Sequence, residues 1–348
     1  MHKVITLGLF LALACARAGL ADAGLVAFYV PWDAQGRTSL AAHVADIYVF
    51  APFWITLITR DGVPSITDDS TSTAILQGAP HSPHVMPVVA NAHNGIWDQE
   101  TVDAIFGSRQ AETTLASSLV KLAAEKQYSG YIFDFENLSP NSIAALPVFV
   151  KAVGGVFVPA HLETWITVPL ESADWPARAI QDAGATAVLM AYDECWANST
   201  PGPIAGDDWF TAGLATRMRD LDASKTVIVL GNYAYDWPKG KPAAALSVQQ
   251  AIQLAHDNSA NITQTAPQSN PVFVYTGADT VPHVVWMLDS SAYSRQRATA
   301  LRFGPRAVGL WRLGLEDDAV WSKAGGTTQA KSTSTQVPAP VCSMLPIN

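Results

Sequence analysis

Charge is scarce in this chain: 15% of its 348 residues are Asp, Glu, Lys or Arg, against 49% hydrophobic. Positive charge is the scarcer sign, with 21 Lys and Arg facing 30 Asp and Glu, and the formal net charge is -9. A nucleic-acid binder needs a basic face to neutralise phosphates, so nucleic acid is excluded as a partner. Cysteine is nearly missing, with 3 in the whole chain. That is too few for a disulfide framework. Neither the cysteines nor the histidines fall at the spacing of a metal site, so no metal and no cofactor is expected. No Gly-rich phosphate loop opens a helix, which argues against a doubly wound nucleotide-binding sheet. Past the N-terminus, no run reads as long and apolar enough to span a bilayer. Tryptophan, in contrast, is plentiful at 11. Exposed Trp faces suit sugar rings.

The N-terminus has a short basic start, His2-Lys3, an apolar run over 4–14 and small residues around Ala18 and Ala23. This is the layout of a secretory signal peptide, expected over 1–23, with cleavage between Ala18 and Gly24. A secreted or periplasmic location follows. Cys15 fits a lipoprotein motif poorly, because Ala12 stands where Leu is preferred. Residues 24–324 are expected to form one domain. The stretch 325–348, rich in Thr, Ser, Gln and Pro, is expected to be disordered. Removal of the signal would leave Cys195 and Cys342, which can pair in an oxidising compartment or stand as two thiols.

Between these ends, strand-like runs alternate with helical ones. The strands are expected at 25–32, 47–51, 84–90, 131–135, 163–169, 187–194, 226–231 and 307–311. Helices are expected at 39–44, 110–127, 141–153, 176–183, 207–221, 246–257 and 295–303. Two further runs, 272–275 and 283–288, suggest a small β insertion between strands seven and eight. Eight alternating strands predict an α/β fold, a (β/α)₈ TIM barrel, with a doubly wound sheet as the alternative.

Chemistry in such barrels sits where the strands end. Here the ends carry Trp32, Asn91, Asp134, Glu136, Tyr192, Asp193, Asn232 and Trp311. The fourth run, Ser129-Gly130-Tyr131-Ile132-Phe133-Asp134-Phe135-Glu136, matters most. Alternation puts Asp134 and Glu136 on the same side of the strand. Two carboxylates at the end of an apolar strand are costly without a role, and one then acquires a raised pKa that makes it a proton donor near neutral pH. The structural alternative is a strand end whose acids cap the next helix or meet an Arg.

The same residues resemble the strand-four signature of glycoside hydrolase family 18, the chitinase family, D-G-x-D-x-D-x-E. Met190-Ala191-Tyr192-Asp193 resembles that family's strand-six M-x-Y-D, and Trp311 matches the Trp that ends strand eight. Further blocks, FYVPWDAQGRTSL, PGPIAGDDWF, LGNYAYDW and LWRLGLEDDAVW, are similar to the type found in bacteria beside polysaccharide deacetylase and family 2 glycosyltransferase domains. The resemblance spans about residues 25–322. It implies substrate-assisted retaining cleavage of a β-linked polymer containing N-acetylglucosamine. Glu136 would be the general acid. Asp134 would orient the substrate acetamido group and stabilise the cationic intermediate, and Tyr192 would donate to the acetamido oxygen. Trp311 would floor the sugar pocket and Asp193 would line it. Trp32, Asn91, Trp196 and Asn232 join them as candidate substrate contacts.

Two of the family's three Asp positions are Ser129 and Ile132. Ile132 makes the proton relay of the full pattern impossible. A catalytically silent carbohydrate-binding barrel that helps handle an exported polysaccharide is therefore the second reading. A transglycosylase or lyase-like use of the same acid is a third. The expected partners are an N-acetylglucosamine-containing polysaccharide or oligosaccharide and separately encoded polysaccharide-export or deacetylase proteins.

Overall fold

A computed structural model describes residues 24–264, 270–278, 280–322 and 342–345. The expected signal peptide, and the tail apart from 342–345, lie outside the described residues.

Eight parallel strands form the centre. The first is Gly24–Tyr29, and the second is split into Val49–Pro52 and Ile55–Leu57. The third is likewise split, into His84–Val85 and Val88–Ala90. Then come Gly130–Asp134, Glu163–Pro169, Thr186–Met190, Thr226–Gly231 and Ala307–Trp311. Each pairs with the next, and the eighth returns to the first through Gly24↔Ala307. The third strand closes the ring. Its first half pairs with Val49–Pro52, and its second half pairs with both Ile55–Leu57 and Gly130–Asp134. A closed parallel ring of eight strands is the TIM-barrel arrangement, and it removes the doubly wound alternative.

Alternation along each strand divides the core. Tyr131, Phe133 and Phe135 point outward under the helices, and Phe149 of helix Pro140–Phe157 packs on Phe133 and Phe135 at ring distances of 5.2 and 5.8 Å. Ile132 points inward, in a layer with Val26, Val49, Val88, Trp165, Val188 and Val227. This layer fills the barrel and leaves Asp134 and Glu136 above it.

The helix Pro140–Phe157 begins where Ser139 accepts the Ser142 amide, with Pro at its first position. It runs past the expected end at 153 because Val153 and Phe157 continue its buried face. With its extension to Ala160 it has a mean hydropathy of 1.9 and is long and apolar enough to cross a membrane by length and composition. That corrects the expectation from the sequence. In the fold it is an outer barrel helix, packed on Phe106, Phe133 and Phe135.

Between strands seven and eight the chain forms an antiparallel sheet of Ala234–Pro238, Ala244–Leu246, Thr263–Gln264, Pro271–Thr276 and Pro282–Met287. At the other end, Cys342 bonds to Cys195. Residues 342–345 lie against the loop after strand six, with Thr200 N–H donating to Ser343 O and Leu345 N–H to Asn198 O. These four residues belong to the stretch expected to be disordered, and the disulfide and paired backbone hold them in place.

Candidate active site

The inward positions of strands four, five and six converge at the C-terminal mouth. There they enclose a cavity of about 210 Å³ lined by Asp134, Glu136, Thr167, Tyr192, Asp193 and Trp311, among others. Phe28, Trp97, Met190, Val229 and Tyr235 complete its lining. Its lining holds three carboxylates and no Lys, Arg or His. A larger groove of about 840 Å³ lies outside the barrel, between helices Ala177–Asp182 and Asp207–Arg217. Its Arg217 donates to the carbonyls of Pro169, Leu170, Ser172 and Trp175, so that cation is already engaged by the fold.

Strand four ends at Asp134, which is 4% exposed. Glu136 follows two residues later on the same face. Its amide donates to Asn91 Oδ1 at 3.0 Å, and its carbonyl accepts from Asn91 Nδ2 at 3.0 Å. Asn91 thus pins the backbone of Glu136 and leaves the carboxyl group facing the cavity. Strand six ends at Met190, earlier than expected, and Asp193 sits in the left-handed region at φ 62°. That turn brings Tyr192 and Asp193 over the barrel mouth. Gly231 leaves room for it, since a Cβ there would lie 2.7 Å from the Tyr233 ring and 3.2 Å from Tyr192 Cβ.

Burial sets the charges. Glu136 is held well above the usual carboxylate range, first by burial and then by the adjacent Asp134 and Asp193 charges. Burial also raises Asp134, but the Thr167 hydroxyl, donating at 2.7 Å, works against it. Asp193 is pushed up to about 6 by burial, offset by hydrogen bonds from Tyr233 and Tyr235. Tyr192 is raised well above 10 by burial and the three carboxylates around it, so it remains a hydrogen-bond donor. The set therefore places an acid with a raised pKa, a second carboxylate held by a hydroxyl and a phenol donor around one cavity. The Trp311 ring stacks on Tyr192 at 6.0 Å and 14° and is buttressed by Phe53 and Phe28 at 5.5 and 5.8 Å. This gives the cavity a fixed aromatic wall.

Of the residues singled out by sequence, Asp134, Glu136, Tyr192, Asp193 and Trp311 come together here. Four others do not line the cavity. Asn91 is fully buried behind Glu136. Asn232 is also fully buried, donating to Leu288 O at 2.7 Å and accepting from the Asp317 amide at 2.6 Å. Both amides serve backbone, which corrects their expected role as sugar contacts. Trp32 lies beyond strand one, which ends at Tyr29, and is 73% exposed. Trp196 sits beside the disulfide, in the loop held by Ser199. Thr167 and Tyr235 also line the cavity and are not among the residues singled out by sequence, and Trp97, one of several Trp near strand ends that could stack on a sugar or pack the rim, joins them. Thr167 carried a signal, because it shares the inward alternation of Glu163 and Trp165. Trp97 reaches the cavity from a short hairpin, Ala92–His93 with Ile96–Trp97, closed by Asn94-Gly95, both at positive φ (50° and 76°).

No family model matches the chain. A Bacillus subtilis protein, the uncharacterized glycosylase YvbX, is 24% identical over 247 residues, 67% of this chain and 72% of its own. The cortical fragment-lytic enzyme of Bacillus subtilis is 25% identical over 251 residues, 68% of this chain and 58% of that enzyme. Among solved structures, a chitinase from Chromobacterium violaceum superposes with a TM-score of 0.78 at 25% identity, over 86% of this chain and 96% of that one. This chain is similar to chitinase-like glycosylases. The likeness to the chitinase extends across the barrel, while the chain spans just over half of the cortical enzyme.

Proposed function

We propose that the protein is a glycoside hydrolase acting on a β-linked polysaccharide that contains N-acetylglucosamine, by substrate-assisted retaining catalysis. The observation that carries this reading is the grouping of Glu136, raised by burial and the neighbouring acids, with Asp134 and Tyr192 in one cavity walled by Trp311. Glu136 gives its proton to the glycosidic oxygen as the bond to the anomeric carbon breaks. The substrate's own acetamido oxygen attacks that carbon, and the resulting oxazolinium cation sits against Asp134. Tyr192 donates to the acetamido oxygen and orients it for attack. Glu136, now ionised, then takes a proton from the water that opens the ring.

A cavity lined by three acids and no base suits a cationic transition state and a neutral sugar. The Cys195–Cys342 bond supports a secreted or periplasmic location, where disulfides persist. Polysaccharide-deacetylase or export proteins are the partners proposed for this chain, which co-purification would test. The direct test of the mechanism is the anomeric form of the first product from chitin oligosaccharides, read by proton NMR. Retention supports the reading and inversion overturns it.

One observation favours a second reading. Ile132 is fully buried directly beneath Asp134, so a relay through a second carboxylate cannot operate. On that reading the barrel binds the sugar without cleaving it.

A further inference from the structure

Asp134 occupies an unusual environment for a residue with a charge to manage. Its neighbours follow from the register. On strand three, Ala90 pairs with Asp134 and offers no polar group. Below it on its own strand is Ile132, 0% exposed and packed with Val88 and Trp165. On strand five, Trp165 pairs with Ile132 and Ile166 with Phe133, so the next residue, Thr167, lies beside Asp134. Thr167 Oγ1 stands 2.7 Å from Asp134 Oδ1 and 3.3 Å from Phe133 O. The shorter contact takes the hydroxyl proton, because a hydroxyl has only one to give. Among the described residues, no other side chain hydrogen-bonds Asp134.

We infer that Thr167 is the positioning residue of Asp134. Its hydroxyl fixes the carboxylate's orientation and holds it ionised beside Glu136, a task for which Ile132 offers nothing. The inference rests on reading this cavity as the hydrolase site. The groups facing Asp134 are Glu136 from just beyond its own strand, Tyr192 and Asp193 from the turn after strand six, Tyr235 from the antiparallel sheet and Ala90 from strand three. None of them is a cation. A donor hydroxyl is therefore the chief local force favouring the ionised form, against burial and two neighbouring acids. It also restrains the carboxylate to one orientation, so Asp134 meets the developing cation without first swinging from another partner.

Thr167→Val keeps the shape and removes the hydroxyl, whereas Thr167→Ser keeps the hydroxyl. The carboxyl carbon of Asp134 is followed by ¹³C NMR from pH 4 to 9, with Asp134→Asn identifying its signal. The Val variant is expected to titrate about one pH unit higher than wild type, as loss of one hydrogen bond to a charged group implies. The Ser variant is expected to match wild type. On chitin oligosaccharides, the acidic limb of the kcat profile should move with the NMR midpoint in the Val variant while KM changes less than twofold. Ser should restore it. An unchanged Asp134 midpoint in the Val variant overturns the inference whatever the activity. A shifted midpoint with no cleavage by any variant keeps Thr167 in this role and removes the hydrolase reading instead. If Thr167→Val does not fold, Thr167→Ala is titrated and read by the same criteria.

Discussion

Asn91 at the end of strand three and Glu136 beyond strand four exchange two hydrogen bonds, each of 3.0 Å, through the Asn91 amide and the Glu136 backbone. The bond pair has the form of a ladder rung made by a side chain. It continues the pairing of two strands past the point where their backbones separate, and so aims a carboxyl group that no longer belongs to a strand.

Asn91→Ala should therefore disable the acid without touching it. Three backbone groups, the Glu136 amide and carbonyl and the Asp98 carbonyl, lose a partner, at a cost of about 3–6 kcal/mol. A lower melting temperature by calorimetry is expected, with kcat falling more than tenfold and KM little changed. A variant with full kcat would mean that Asn91 does not position Glu136.

The raised carboxylates have a consequence for stability. Asp193 moves from 3.8 unfolded to about 6 folded, and Glu136 rises from an unfolded value of 4.5. The folded state thus holds more protons than the unfolded one from about pH 4 upward, so stability falls as pH rises through that window. For Asp193 the whole effect is about 3 kcal/mol. Glu136→Gln removes the Glu136 part of it. Urea unfolding at pH 4.5 and pH 8 should find the variant more stable than wild type at pH 8, with the difference shrinking at pH 4.5. An equal difference at both pH values would contradict the burial of an uncompensated acid.

Trp311 lines the cavity, stacked on Tyr192 and packed at an angle against Phe28 and Phe53. Trp311→Ala should weaken binding of an N-acetylglucosamine oligosaccharide by about 10- to 100-fold, the scale of a lost aromatic platform. Titration calorimetry on the Glu136→Gln background would measure this without turnover. Unchanged affinity would place the sugar elsewhere.

The Cys195–Cys342 bond joins residues separated by 147 positions and anchors the strap 342–345 on the loop that begins two residues beyond Asp193. Cys342→Ser should lower stability by about 2–5 kcal/mol, measured by chemical unfolding against the oxidised wild type. No loss would mean that the bond constrains little of the unfolded chain.

Much of this architecture is legible from residue order alone. Alternating apolar strands and amphipathic helices give the barrel, and the spacing of Asp134 and Glu136 places both acids on its inner face. The shortfall is at strand ends. Asp193 looks like the end of a strand but lies in a left-handed turn, because a turn is needed to carry Tyr192 and Asp193 over the mouth. Asn91 and Asn232 look like sugar contacts, since buried amides that complete backbone pairing have the same residue type as amides that bind hydroxyls. Only the partners across the barrel, Glu136 on one side and Leu288 with Asp317 on the other, tell the two apart. Tyr235 arrives on a strand of the inserted sheet whose path depends on tertiary packing, whereas the hairpin that carries Trp97 is signalled by Asn94-Gly95.

The central claim is that Glu136 is the acid of a hydrolase, and a paired assay of wild type and Glu136→Gln tests it most directly. Both are incubated with chitin oligosaccharides, deacetylated β-1,6-glucosamine polymer and peptidoglycan fragments, with products read by mass spectrometry and binding by calorimetry. The account predicts cleavage of an N-acetylglucosamine-containing substrate by wild type, reduced at least 1,000-fold in the variant (about 4 kcal/mol of transition-state stabilisation), with binding retained. Binding by both proteins with cleavage by neither would contradict it and leave a sugar-binding barrel.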